Sequence, residues 1–461
     1  MIKTSSTKNI FTNWNKITLL KVVKRAGLIL VSIILLCAVI MILFPDPLIN
    51  TFFKKPITKA FTKAYPAYSI ELGDIHYNIW NNRLGCNSIT LKAKDSTLTC
   101  NATSFSFGGI GWIDMIWNGG LTQNSLTSLV FDAKNIVLND HKSQNKFSLG
   151  MLHASVPDSE ITADSIMSSF LISDEQFFAK SQFRQTRYRF SIPQVKIKGL
   201  DFVSLFKGNI YKAKSIIIHD VYADILVNMD KPYDKNSSKP LMPNEILSSM
   251  KEVIEIDSVK ILNGRLKYCE QYAVKATPGE ITFDNVNVSI SGIANHSDRF
   301  ALTVINAEGI ILNSGAIKLL MEIPLASKDF SLQSTGSLST MDVIRVNTFL
   351  EAAEHRRVKS GIIQYAKYNI NVASGQASGT LQVEYEDLSI IILSKNGSEN
   401  EIVDQIASLI GKTFIINGSN LPDKSGKMKI GEIKYSRNRE NTFFQFLWFS
   451  LRSGISNVVG F

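Results

Sequence analysis

The six histidines, His76, His141, His153, His219, His296 and His355, are the side chains best suited to proton transfer near neutrality or to metal binding. They are scattered along the chain without ligand spacing and define no metal centre. Gly411-Lys412-Thr413 has the ending of a phosphate-binding loop, whose lysine and hydroxyl would hold phosphate and magnesium. That loop needs an earlier glycine where Ile406 stands, and it needs a strand before it where the pattern is helical. Glu384 and Glu386 form a carboxylate pair, but alternate spacing puts both on one strand face, where charged residues meet water. Neither Gly-x-Ser-x-Gly nor His-Glu-x-x-His occurs. The sequence therefore predicts no catalytic residue, no metal ligand and no cofactor, and the chain reads as a non-enzyme.

Four cysteines remain: Cys37, Cys86, Cys100 and Cys269. Cys37 lies in an apolar run, so no dense disulfide framework is available. Cys86 and Cys100 fall on consecutive predicted strands. They fit a disulfide in an oxidising compartment or two reduced, half-buried thiols.

The elements that would position any site start with that run. Residues Ala26 to Phe44 carry no charge. A helix rises about 1.5 Å per residue, so a run of this length crosses a hydrocarbon core about 30 Å thick. Lys3, Lys8, Lys16, Lys21, Lys24 and Arg25 precede it without an acidic residue, which favours a cytoplasmic N-terminus. Leu43-Phe44-Pro45 offers no small-x-small cleavage site, and bulky Leu36 precedes Cys37. An uncleaved signal anchor is expected, with the remaining chain on the far side of a membrane. Leu48, Ile49, Phe52, Phe53, Ile57, Ala60 and Phe61 then recur at helical spacing, with a bend expected at Pro56. This helix fits the membrane surface or the first strands equally well.

From Ser69 onward apolar residues alternate at period two, as in half-buried strands. Ile70, Leu72, Ile75, Tyr77 and Ile79 alternate with a one-residue slip at Gly73-Asp74. Other runs include Ile281 to Ile290, Ile317 to Ile323 and Leu381 to Ile392. Roughly 25 to 30 strands at about 4.8 Å each would make one long sheet. Helices are expected from about Met341 to Arg357, Asn244 to Val253, Asn400 to Gly411 and Asn441 to Val459. Those few cannot cover so much apolar sheet. It must fold on itself or leave an open apolar groove, whose lining residues the sequence does not assign. The basic stretch from Lys427 to Arg439 precedes Phe443, Phe444, Phe446, Leu447, Trp448, Phe449 and Leu451. Such a helix can engage a membrane or a partner, or cap the sheet's end.

The fold class is thus mostly β: a long folded or twisted sheet, groove or taco-like, with a few short helices and one N-terminal transmembrane helix. The expected organisation is a cytoplasmic segment 1–25, a transmembrane helix 26–44 and a juxtamembrane amphipathic segment 45–66. A β region 67–230, a linker or loop 231–243 with three prolines, a second β region 244–440 and an amphipathic helix 441–461 follow. The formal net charge is +10. The six cations before the run supply much of it, and no Arg-rich tract points to nucleic acid.

Three stretches resemble the AsmA-like family of bacterial inner-membrane-anchored envelope proteins. The first is Tyr68 to Tyr77 with Leu84 to Leu91. The second is Ile256 to Tyr268 with Pro278 to Val286. The third runs from Leu338 through Arg356 to Gly361 and on to Gly379 to Leu388, and Phe443 to Gly454 is also similar. The resemblance spans most of the chain in loose patterns and carries over no catalytic residue. It implies a periplasmic body with an apolar interior that handles phospholipid between inner and outer membranes and supports outer-membrane homeostasis. Membrane lipids, the inner membrane and outer-membrane or periplasmic proteins are the implied partners. The alternative is a scaffold or assembly factor that receives outer-membrane strands at its sheet edges. Protease added to spheroplasts should digest the chain beyond the anchor; a protected body would reverse the topology.

Overall fold

The computed structural model describes residues 31–32, 45–52, 54–109, 111, 126–296, 301–393 and 416–459. The expected cytoplasmic segment, nearly all of the expected membrane span, the expected helix from Asn400 to Gly411 and the Gly411-Lys412-Thr413 motif lie outside them. Among the described residues no helix is long and apolar enough to cross a membrane.

The described body is mostly β, with 22 strands in one mixed sheet and a few short helices. The chain starts with α1 (Pro45–Phe52) and α2 (Lys54–Ala64), then β1 (Tyr68–Leu72), β2 (Ile75–Asn78), β3 (Arg83–Cys86), β4 (Ile89–Ala93), β5 (Leu98–Ala102) and β6 (Ser104–Gly108). Next come β7 (Val130–Asp140), β8 (Asn145–Ser155), β9 (Glu160–Phe170), α3 (Asp174–Ala179), β10 (Thr186–Lys198), α4 (Phe202–Lys207), β11 (Ile210–His219), β12 (Tyr222–Asn228) and α5 (Pro243–Ser249). The second half holds β13 (Val253–Gln271), β14 (Gly279–Ala294), β15 (Thr303–Ile311), β16 (Gly315–Ile323), β17 (Leu332–Leu338), β18 (Met341–Asp342), α6 (Asn347–Glu354), β19 (Arg356–Ala373) and β20 (Gln376–Ile392). It ends with β21 (Ile416–Asn420), β22 (Ile430–Ser436) and α7 (Phe443–Val459).

Pairing follows chain order almost throughout, in antiparallel ladders. The exception is β13, which runs parallel to β11 and β12. Segment 229–252, with the three prolines and α5, returns the chain to the start of the ladder, so β13 aligns with its predecessors. The sheet is therefore continuous across the linker region. Collinear short strands share rungs, which leaves about sixteen rungs and a span on the order of 75 Å. That is shorter than the sequence estimate of strand number implies.

Most strands break their alternation at one shared level. Asn135, Ser165, Asp220, Asn263 and Asn285 adopt left-handed backbone, with φ of 50°, 57°, 52°, 55° and 50°. Asn, Asp and Ser tolerate that region better than branched residues do. Gly150 stands opposite Asn135, between the pairs Lys134↔Met151 and Ile136↔Leu149. A Cβ at Gly150 would lie 3.0 Å from Ser165 Cβ. As in a β-bulge, the extra residue bends the strand and reverses its alternation. Apolar positions step by three across it: Ala133 to Ile136, Leu149 to Leu152, Ala163 to Ile166 and Ile192 to Val195. Leu72 to Ile75 obeys the same rule, which explains the slip at Gly73-Asp74.

Both ends of the ladder are blunted by helix side chains. Asn50 of α1 donates to the Ile75 carbonyl at 2.6 Å and accepts from its amide at 2.9 Å, while Asp46 accepts from Tyr77 N at 2.8 Å. At the other end Ser453 and Asn457 of α7 accept from Lys434 N and Glu432 N at 3.1 and 3.3 Å. These bonds occupy amides that would otherwise template another strand.

The sequence placed a helix over 341–357. In the structure β18 and a 3-10 turn occupy its start, and α6 is short, with Asp342 accepting from Ile344 N. Val358, in β19 just beyond that range, instead pairs with Ile390. The 244–253 helix likewise ends at Ser249, and Pro56, where a bend was expected, lies in the first turn of α2, where proline costs little.

The packed core lies at the C-terminal end, where Met242, Ile323, Ile370, Val372, Ile433, Phe446 and Val458 are buried together. A Cβ at Gly431 would collide with the Gly454 carbonyl, so two glycines let α7 settle directly on β22. Arg437 fixes α5 to this end through both Glu245 oxygens at 2.8 and 2.9 Å and the Pro240 carbonyl at 2.8 Å. The Arg437 hydrogen bond holds the Glu245 carboxyl down to about 2. Gly431→Val should lower the melting temperature sharply, with an overpacking cost of about 1–3 kcal/mol. The Glu245 contribution is complete above its ordinary 4.5 and is lost as pH falls towards about 2. Urea titrations from pH 5 to pH 2 should show that loss in the native protein and not in Glu245→Gln.

Candidate functional site

Ladder register carries apolar side chains across the whole sheet. One row reads Leu84, Phe107, Phe131, Ala154, Ile161, Ile197, Ile216, Val259, Ile290, Ile305 and Met321, each paired with the next. Its neighbour runs from Cys86 through Phe105, Ala133, Leu152, Ala163, Val195, Ile218, Ile261 and Val288 to Ala307 and Leu319. Beyond the bend line a third row joins Ile70, Leu91, Cys100, Leu138, Phe147, Ser168, Phe190, Ala223, Leu266, Phe283 and Ile311.

The alternate row is polar: Asp132, His153, Thr162, Lys196, Ile217, Lys260, Ser289 and Asn306. This polar face also bears a cavity of about 650 Å³ between β13 and β19, bordered by Lys260, Glu308, Lys318 and Lys367. Burial along the apolar rows is uneven. From Phe105 to Ile305 nearly every large side chain is only half-buried, and Met321 begins the fully buried part. Phe147 remains 39% exposed. Helices α6 and α7 cover the closed part. The apolar face is thus left half-open across many strands, with enough exposed apolar surface to accept an apolar occupant.

The residues singled out by type do not converge. His153 Nδ1 meets Asp132 at 2.7 Å, and Arg83 meets the same carboxylate. His296 meets Glu255 at 3.2 Å, and His355 ends α6. Among the described residues no group of His, Cys, Asp and Glu could hold a metal. Glu384 accepts from Gln382, and Glu386 accepts from Gln364. Cys86, Cys100 and Cys269 are free thiols, with Cys86 opposite Ile75 and Phe105 and Cys100 opposite Leu91 and Leu138. Burial raises the Cys100 thiol and pushes Cys269 up to about 11, so neither is an activated nucleophile.

Two polar groups escaped the sequence reading. Buried Arg187 joins Asp224 at 3.0 Å and Asp174 at 3.3 Å, pinning α3 to the polar side of β10 and β12. On the apolar side Tyr268 and Tyr272 both donate to buried Glu270. The Tyr-x-Glu-x-Tyr spacing puts these three on one strand face and was the available signal. No protein-family model matches the chain, and no curated protein matches it.

Proposed function

We propose that this protein is an AsmA-like envelope protein that holds membrane lipids by their acyl chains along its apolar face and passes them between inner and outer membranes. The bend line folds the sheet into a groove whose inner wall is the three apolar rows. The observation that carries this reading is their continuity from β2 to β16 without a charged side chain. Each methylene moved from water to that wall gains about 0.8 kcal/mol. A wall of similar aliphatic and aromatic side chains has no single preferred position, so a chain can slide. Helix α1 ties the first rung to the expected anchor at 26–44, which sets the open end at the inner membrane. At the far end α6 and α7 fill the groove.

The blunted ends weigh against the alternative of a strand-receiving scaffold for outer-membrane proteins, because amides at both ends of the ladder are already bonded to helix side chains. The reading implies no cofactor, no catalysis and no nucleic-acid partner.

Lipid extracted from the full chain, purified in mild detergent, should be detected by mass spectrometry at near-stoichiometric amounts. Ile197→Asp, on the half-buried wall, should remove most of it while the protein still melts cooperatively. Ile370→Asp, in the packed end, should unfold the protein, since burying an unpaired charge costs several kcal/mol. A native protein free of lipid would overturn the proposal.

A further inference from the structure

Glu270 is 8% exposed, and its Oε1 accepts from Tyr268 at 2.6 Å while Oε2 accepts from Tyr272. Both oxygens accept and neither donates, as a carboxylate does. Burial, helped by the Glu270 charge, holds both tyrosines well above the ordinary phenol range, so both remain donors. Among the described residues no lysine, arginine or histidine pairs with Glu270. A buried anion with no cation in direct contact is costly unless one joins it.

The surroundings suit an organic cation. Glu270 lies opposite Gly279, and a Cβ there would be 3.0 Å from the Phe349 carbonyl of α6. The Phe349 ring stands 6.5 Å from Tyr268. Tyr188, two rungs along from Tyr268 and 56% exposed, leaves an aromatic face open to the groove. Aromatic faces around a carboxylate attract ammonium groups. Glu270 also sits two alternations beyond Leu266 of the third apolar row, about 13 Å along β13. An acyl chain on that row leaves its polar end at the carboxylate. Arg184, whose charge is felt at the Tyr272 hydroxyl and whose buried Nε has no partner among the described residues, offers the complementary pole for a phosphate.

We infer that Glu270, Tyr268, Tyr272 and Tyr188 form a headgroup site for phospholipids that carry an amine. The inference rests on the groove reading and names the lipid class. The full chain, incubated in detergent with vesicles of equal ethanolamine- and glycerol-headgroup phospholipid and re-isolated, should be enriched in the amine lipid. Loss of one charge-assisted contact corresponds to about tenfold, so Glu270→Gln should reduce the enrichment by about that factor with total lipid unchanged. Tyr188→Ala, at an exposed ring, should reduce it without lowering the melting temperature. Equal headgroup ratios in native and Glu270→Gln protein, both carrying lipid, would overturn the headgroup site and leave the groove standing. Absence of lipid from native protein would overturn the groove and the site together.

Discussion

From β7 to β14 the strands bend at one shared level. Across these strands an apolar row survives only because the alternation reverses in register from one strand to the next. Were Asn135 to stay in ordinary β conformation while Gly150 bent, Ile136 and Leu138 would point to the polar side while Leu149 and Phe147 stayed inside. Antiparallel pairing ties those residues together. A mismatch on one strand would therefore break the ladder as well as the apolar face. The small polar residues at the bend are tolerated because their neighbours bend too. Asn263, for example, donates from its side-chain amide to Asp220 and from its backbone amide to Asn287 Oδ1.

This constraint divides the sheet into a packed part and a half-open part. The packed C-terminal end, with α7 settled on β22 and Arg437 clamping α5, supplies a conventional buried core. The longer part of the sheet buries little on its inner side and is held by ladder bonds, by cross-strand contacts such as Phe105 to Phe131 at 4.8 Å, and by blunted ends. A half-buried wall contributes less to folding per residue, and the same unburied area remains available to an occupant.

The strands were legible in the sequence because alternation is local. The bend line showed only as the slip at Gly73-Asp74. At Ser165 and Asp220 a single polar residue inside a strand looks like an ordinary turn residue, and only pairing reveals that such residues lie at one level. The helix expected over 341–357 failed for a related reason. Val346, Phe349, Leu350 and Ala353 have helical spacing, but β19 competes for the residues that follow, and ladder pairing outweighs propensity there. The Tyr268, Glu270, Tyr272 trio was passed over, because its meaning depends on the burial that α6 provides.

That burial also orders the polar and apolar parts of the inner face. In the proposed function a carboxylate in mid-groove would interrupt acyl-chain sliding. Glu270 is itself buried but stands near the end of β13, past the last apolar row and beside the exposed loop 273–277. Helix α6 covers it from one side and leaves Tyr188 uncovered on the other. Placing charge only near the exposed end of the wall keeps the aliphatic rows uniform along the sheet, and in the proposed function it would confine headgroup discrimination to the rim.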